Sequence, residues 1–161
     1  MGENKTPTVI PSYINCLINL TNFSVLGTLV KKIPIQLCEL TNLKTLRFEH
    51  NKIEEIPVEI GLLKNLEELN LESNNITEIP ISFGNLINLT LLNFSSNKIK
   101  TICAEIYQLK NLIKLILYDN LIEEIATDLS SLIALKEFNI GLNPLNNRSQ
   151  CTDPRILYDK N

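Results

Sequence analysis

Residues 56–74, IPVEIGLLKNLEELNLESN, contain the unit that the rest of the chain repeats. The unit opens with Ile56-Pro57 and a second apolar residue at Ile60. Six versions of this opening start 23 residues apart, at Ile10, Ile33, Ile56, Ile79, Ile102 and Ile125, without insertion or deletion. A fixed period of this length is typical of a protein that stacks one structural unit upon the next.

The apolar residues of the repeat form columns when the chain is written at this period. In the middle repeat they are Leu63, Leu66, Leu69, Leu71 and Ile76. An amphipathic helix would repeat apolar residues every three or four positions, whereas Leu69-Asn70-Leu71 alternates and a polar turn follows. The pattern therefore predicts one strand and one return path per repeat. Because a single turn cannot bury its own apolar side, neighbouring turns must share a core.

A polar column follows each predicted strand and consists of Thr28, Asn51, Asn74, Asn97, Asn120 and Asn143. An Asn amide carries both donors and acceptors, so it can satisfy backbone groups buried where the strand bends away. With this column, residues 10–145 resemble the leucine-rich repeat family, because LxxLxLxxN recurs in register with IxxIP behind it. The Ile-Pro form is similar to the 23-residue repeats of intracellular Ras-pathway scaffolds, plant intracellular relatives and bacterial or protist proteins.

The resemblance implies an α/β repeat solenoid, a right-handed horseshoe with a parallel β-sheet on its concave face. Its convex arcs are expected to be mostly irregular or short and helical, and its Asn residues to form a ladder between turns. We expect one domain over residues 1–161. Residues 1–16 would form an N-terminal cap and partial repeat, residues 17–145 six repeats, and residues 146–161 a C-terminal cap.

The ends and the later arcs depart from the pattern. Arg148 stands where an Ile would continue the repeat, and we expect a short helix after Asp153-Pro154. Pro fixes φ in the return arc of the earlier repeats. Cys103 and Ala126 replace it in the last two, so the fifth and sixth arcs are expected to be looser.

Composition excludes several classes of function. The net charge is -3 and the pI about 5.2, which argues against general nucleic-acid binding because that needs a basic face. No apolar run reaches the roughly 18 residues of a membrane span, so no membrane insertion is expected. The N-terminus lacks the apolar region of a secretory signal, so we expect a cytoplasmic protein with reduced thiols. Cys16 and Cys38 lie 22 residues apart, so a disulfide between neighbouring turns stays an alternative.

The sequence offers no catalytic, metal or cofactor site that we could assign. His50 is the single histidine, and its stretch RFEHN contains no nucleophile beside it. The four cysteines are scattered, without the paired spacing of a zinc site. We therefore expect a protein that is not an enzyme and that holds no cofactor and no metal.

The predicted concave face carries the candidate partner-binding residues. Tyr118 is the aromatic residue that the pattern points outward, and the surrounding set is Ile116, Leu91, Leu142, Lys114, Asp119, Asn93, Asn139, Arg47, Glu49, His50 and Glu72. Solvent-exposed apolar side chains that are bordered by charged residues are typical of a protein-binding patch. The alternative is that the curved sheet or the C-terminal cap covers them.

We expect a non-catalytic module whose rigid concave sheet binds another protein. It would act as an adaptor, or as a regulator or inhibitor that masks a site on its partner, and be a monomer or part of a heterocomplex. The alternative is a structural subunit of a permanent complex, bound through its edges. The abundance of Asn and Ile is typical of AT-rich microbial genomes, so an effector delivered into a host cell stays among the alternatives.

Overall fold

The computed structural model describes residues 9–147 and 150–158. Their strands form one parallel sheet in chain order, and each strand supplies a short piece of its concave face. The strands are β1 (Asn22–Ser24), β2 (Thr45–Arg47), β3 (Glu68–Asn70), β4 (Leu91–Asn93), β5 (Lys114–Ile116), β6 (Glu137–Asn139) and β7 (Ile156–Leu157). The predicted leucine-rich repeat solenoid, with its parallel concave sheet, is confirmed.

The register of the sheet follows the 23-residue period. Leu46 pairs with Leu69, and Leu69 pairs with Leu92, so equivalent residues of successive repeats lie side by side. The central side chains of β2 to β6 are fully buried, while the residues beside them on the strand are exposed or half-buried, except Asn93, which is buried. The core is therefore one continuous stack of apolar layers between the sheet and the arcs.

Short 3-10 helices form most of the convex arcs. They are η1 (Ser12–Cys16), η2 (Ile35–Glu39), η3 (Val58–Leu62), η4 (Ile81–Asn85) and η5 (Ala104–Gln108). A proline precedes the first four, with φ between -63 and -69°, and Cys103 precedes η5 with φ -66° and ψ 143°. Cys103 thus adopts the conformation that proline would impose, and the fifth arc forms a 3-10 helix like those of the earlier arcs.

The sixth arc does differ from the others, because no 3-10 helix forms after Ala126. Proline has no N–H group at this position, whereas alanine brings one that needs an acceptor. The Tyr107 hydroxyl oxygen supplies it, since the Ala126 N–H donates to that oxygen at 3.2 Å. Ser131 then donates from its Oγ to the Tyr107 carbonyl at 2.5 Å. One tyrosine thus connects the fifth arc to the irregular sixth.

The predicted Asn ladder is present, and each buried amide makes the same set of bonds. In the middle of the stack, Asn97 Nδ2 donates to the carbonyls of Leu71 (2.9 Å), Phe94 (3.0 Å) and Ser95 (3.2 Å). Its Oδ1 accepts the N–H of Ile76 at 3.0 Å. The ladder starts at Thr28, whose hydroxyl donates to Asn51 Oδ1 at 2.7 Å.

A second, outer Asn ladder runs along the edge where each arc returns to its strand. Each of four amides donates to the carbonyl 24 residues earlier, at 2.8–2.9 Å. The donors are Asn42, Asn65, Asn88 and Asn111, and unlike the buried ladder they lie in exposed positions. The column is visible in the sequence at the 23-residue period, but the sequence interpretation did not use it.

The described part of the C-terminal segment closes the last turn with a strand. Ile156 pairs with Phe138 in the sheet, so the short helix expected after Asp153-Pro154 is wrong. The Arg155 guanidinium donates to the Leu132 carbonyl at 2.9 Å, and it also forms an ion pair with Asp153. That arginine lowers the pKa of the Asp153 carboxyl. Arg148 lies outside the described residues.

We predict that Leu92→Ala destabilises the fold by about 2–5 kcal/mol, because the side chain is fully buried and its removal leaves a cavity. The matched control is Ile87→Ala, since the Ile87 side chain is 60% exposed in the same repeat. Denaturant midpoints of the two variants check this. A Leu92→Ala midpoint equal to that of the control would contradict the assigned register.

The two ladders allow a matched comparison of Asn97→Ala with Asn88→Ala. The first substitution leaves several buried backbone groups without a partner, at a cost of about 1–3 kcal/mol for each. The second removes one exposed hydrogen bond, for which about 1 kcal/mol or less is expected. If both variants lose the same free energy of unfolding in urea, the buried ladder contributes no more to stability than the exposed one.

Candidate protein-binding face

The concave face presents three columns of outward positions. Two flank the buried centre of each strand, and the third lies two residues beyond the strand, where Leu26, Glu49, Glu72, Ser95, Tyr118 and Gly141 follow one another. Tyr118 is the aromatic residue of these columns within the described chain. Its side chain is half-buried, so the sheet leaves it partly open to solvent.

The apolar candidates run diagonally across the C-terminal half of this face. Leu91 pairs with Lys114 in the next strand, and Ile116 lies two residues beyond Lys114 on the same side of the sheet. Diagonal neighbours of this kind are about 7–8 Å apart, within reach of long side chains. Tyr118 lies two residues further, and Leu142 belongs to the following turn, with its side chain 53% exposed.

Ion pairs join the charged candidates to the neighbouring strands. Arg47 contacts the Glu68 carboxylate at 2.7 Å through Nη2, and Lys114 Nζ contacts Glu137 at 2.7 Å. Both pairs are partly exposed, and exposed pairs contribute about 0–1 kcal/mol to stability. Their main effect is therefore to orient charge on the face: Arg47 and Lys114 are held over the neighbouring strand.

An amide from the following strand orients each of the two glutamates. Asn70 Nδ2 donates to Glu49 Oε1 at 2.8 Å, and Asn93 Nδ2 donates to Glu72 Oε2 at 3.1 Å. Asn93 is 7% exposed, and its own Oδ1 accepts the N–H and the hydroxyl of Ser95. The second oxygen of Glu49 is buried without a donor among the described residues. Asn93 is thus placed to orient Glu72, as Asn70 is to orient Glu49.

Left-handed backbone marks the residue that ends each concave row. Asp119 has φ +56°, His50 has φ +56° and Leu142 has φ +51°, in a position where the first row has Gly27 at φ +61°. Bulky residues rarely adopt this conformation, because their Cβ crowds the backbone. His50 and Asp119 are exposed there, as expected. The same turn also sets the outward direction of Leu142.

β7 adds a residue that the sequence interpretation missed. Leu157 pairs with Asn139, which pairs with Ile116, so an outward column continues into the C-terminal segment. Leu157 is 44% exposed, and it extends the apolar surface around Ile116 by two strands. Asn139 is half-buried between them, and its Oδ1 accepts the Gly141 N–H at 3.2 Å. Because a short helix was expected at this segment, the sequence did not predict that Leu157 lies in this outward column.

The described residues bring no three His, Cys, Asp or Glu side chains together in a group that could hold a metal ion. The four thiols, those of Cys16, Cys38, Cys103 and Cys151, are free. Burial raises the pKa of Cys38 to about 12, and the carboxylates of Glu59 and Glu39 add to the effect. Burial also raises the pKa of Cys103 and of Cys151.

Comparison with known families decides the identity of the repeat. The family model described as a leucine-rich repeat region matches residues 7–154. The chain belongs to the leucine-rich repeat family. A search of curated proteins gave no match. Members of this family are in general protein-interaction modules.

Solved leucine-rich repeat structures share the fold. A leucine-rich repeat protein of Leptospira interrogans is 25% identical with a TM-score of 0.77, over 94% of this chain and 52% of its own. The ectodomain of the Arabidopsis thaliana receptor kinase GASSHO1/SCHENGEN3, solved in complex with Casparian strip integrity factor 2, is 28% identical with a TM-score of 0.82. It matches over 92% of this chain and 19% of its own.

The functional domain of InlJ from Listeria monocytogenes is 27% identical with a TM-score of 0.72, over 90% of this chain and 30% of its own. The chain thus spans about half or less of the length of these three structures. Across residues 9–147 and 150–158, no helix has the length and apolar character needed to cross a membrane.

We predict that a thiol reagent labels Cys16 first in the folded protein, because Cys16 is exposed whereas Cys38 and Cys151 are buried. Peptide mass mapping after brief labelling at neutral pH checks this, with the protein unfolded in denaturant as the control. Prompt labelling of Cys38 would contradict its placement in the core.

Cys38 should also make stability depend on pH in alkali. Below pH 9.0, the ordinary pKa of a thiol, Cys38 is protonated in both states, so its contribution is constant. Above that value the unfolded chain loses the proton and the folded chain retains it until about pH 12. Stability therefore falls across this window. The Cys38→Ala variant, measured by urea unfolding, should lose less stability between these limits than the wild type.

Proposed function

We propose that this chain is a non-catalytic binding module that recognises another protein through the C-terminal half of its concave face. The observation that carries the proposal is the outward surface of Leu91, Ile116 and Tyr118 on a rigid sheet. Aromatic side chains in partly desolvated positions are enriched among the residues that dominate binding energy. The GASSHO1/SCHENGEN3 ectodomain, solved in complex with Casparian strip integrity factor 2, supports the general role for the family.

The charged rows suggest how the partner is oriented. Lys114 and Asp119 border the apolar surface, and charges at a rim affect the association rate more than the affinity. Arg47, Glu49 and His50 form a separate polar row on β2 and the turn after it. The partner surface should therefore be apolar at one end and polar at the other.

We further propose that binding makes the protein an adaptor, or a regulator or inhibitor that masks a site on the partner. A sheet held by two Asn ladders loses little conformational entropy on binding. Little of the favourable free energy of the contacts is therefore offset by ordering of the protein. The free thiols support action in a reducing compartment, either the protein's own cytoplasm or that of a host cell. A structural subunit bound through its edges is the second candidate, and the edge of β1, which no other strand of residues 9–147 and 150–158 pairs, favours it.

We predict that Tyr118→Ala weakens partner binding by about 2 kcal/mol or more, because a central aromatic anchor is lost. The folded spectrum should stay unchanged, since the side chain lies outside the buried core. The measurement is calorimetry against a partner that is isolated by pull-down and then purified. Glu59→Ala on the convex η3 is the control and should bind like the wild type.

A second pair of variants distinguishes the two halves of the face. Arg47→Ala and Glu49→Ala alter the polar row and leave Tyr118 in place. If they abolish binding while Tyr118→Ala binds as tightly as the wild type, the second row is the site. If all three bind normally, the concave face is not the binding surface, and the edge-bound subunit becomes the better description.

A further inference from the structure

The N-terminal end of the solenoid exposes core positions that every later turn buries. Leu17 is 52% exposed, whereas its equivalents in the next two repeats, Leu40 and Leu63, are buried. Leu20 and Phe23 are only partly buried for the same reason, because no turn before β1 packs on them within the described chain. An apolar surface of this kind on a repeat protein is normally covered by another turn.

The backbone of β1 presents a matching row of unpaired groups at the same end. Thr45 N–H donates to the preceding strand at Thr21, and the Arg47 carbonyl accepts from Val25 N–H. Asn22 and Ser24 are the β1 equivalents of Thr45 and Arg47. Their N–H and C=O groups therefore point to the open edge, where no strand lies among residues 9–21. An unpaired edge of this kind can pair with another chain.

These edge groups are self-complementary about Phe23. In an antiparallel pair centred there, Asn22 of one chain lies opposite Ser24 of the other, and the two residues exchange both backbone hydrogen bonds. Phe23 then faces its own copy in a non-hydrogen-bonded pair, where side chains approach closely and aromatic pairs are favourable. The same arrangement brings the two Leu17 ends together.

Among the described residues, the C-terminal end is a poorer match for this surface than a second N-terminal end is, which argues against head-to-tail stacking. Its edge strand β7 is two residues long and follows Pro154, and short edge strands resist further pairing. The Arg155 guanidinium, paired with Asp153, bonds the Leu129 and Leu132 carbonyls of the last full turn. The two ends are thus chemically different, and the apolar end is matched by a copy of itself.

We propose that two copies of this chain associate through their N-terminal ends, with the β1 strands paired antiparallel about a two-fold axis at Phe23. The axis is perpendicular to the sheet, so the two concave faces join into one longer face with the same orientation. This closes the assembly at two copies, as an isologous interface does. This dimer differs from the expected monomer or heterocomplex, and the proposal stands whether or not the concave face binds a partner.

Sedimentation of the full chain from micromolar to millimolar concentration tests the association. The interface is one strand and one turn, near the lower size limit of specific interfaces, so a concentration-dependent shift from monomer to dimer is expected. Ser24→Pro removes a donor from each copy and should raise the dissociation constant about tenfold or more. Ser24→Ala keeps the N–H and should behave like the wild type.

Leu17→Lys provides a second test that leaves the sheet untouched. It places a charge on the apolar end and should also weaken the dimer, whereas Ile133→Lys, at a more exposed position far from β1, should not. Circular dichroism of each variant reports whether it is folded. A wild type that stays monomeric throughout, or dimers unaffected by both Ser24→Pro and Leu17→Lys, would overturn the proposal.

Cross-linking tests the register. With Cys16→Ser as background, the Asn22→Cys/Ser24→Cys variant should form a disulfide between copies. Hydrogen-bonded antiparallel residues have Cα atoms about 5.5 Å apart, a separation that a disulfide spans. Failure to cross-link in a sample that sedimentation shows to be dimeric would overturn the pairing about Phe23.

Discussion

The hydrogen bonding of the buried Asn ladder is the constraint on which the rest of the structure depends. At the end of each strand the chain bends away from the sheet. Several backbone N–H and C=O groups there have no hydrogen-bond partner in the sheet, although they remain buried. One amide satisfies them: Asn97 bonds three carbonyls and one N–H, two of which belong to the preceding turn. An Asn at this point therefore fixes both the bend within a turn and the register between turns.

Much of the fold could be predicted because the same pattern of residues forms the same local structure in every repeat. The period sets which residues are neighbours across the sheet, so Leu69 beside Leu92 followed from spacing alone. Prediction failed where a residue acts outside the repeat. Ala126 restored an N–H that proline lacks, and only the three-dimensional position of the Tyr107 hydroxyl shows what accepts it. The sequence after Asp153-Pro154 likewise indicated a helix, whereas the unpaired edge of β6 favours a strand.

Most members of the candidate face could be predicted, with Leu157 on β7 as an exception, but their contacts could not. Alternation along each strand placed Arg47, Lys114 and Tyr118 outward. It could not show that Arg47 and Lys114 each lean onto a glutamate of the next strand, because the choice depends on side-chain reach across the sheet. Nor could it show that Asn93 is buried beneath Glu72, since an outward position on a curved sheet can still be covered by its neighbours.

The division of the face has a physical origin in the repeat itself. Inside the stack, the backbone groups and core side chains of every turn contact the adjacent turns. The residue types on the concave face can therefore differ between repeats with little effect on the stability of the fold. In the first half of the sheet they are mainly polar, with Arg47 paired to Glu68, and in the second half Leu91, Ile116 and Leu157 are apolar and lie near the Lys114–Glu137 pair. Burying the charged side chains beneath a partner costs free energy, and an exposed ion pair contributes too little to offset that cost. Burying the apolar side chains is favourable. Contact energy should therefore concentrate toward the C-terminal strands, and the polar rows should restrict which partners and orientations are accepted.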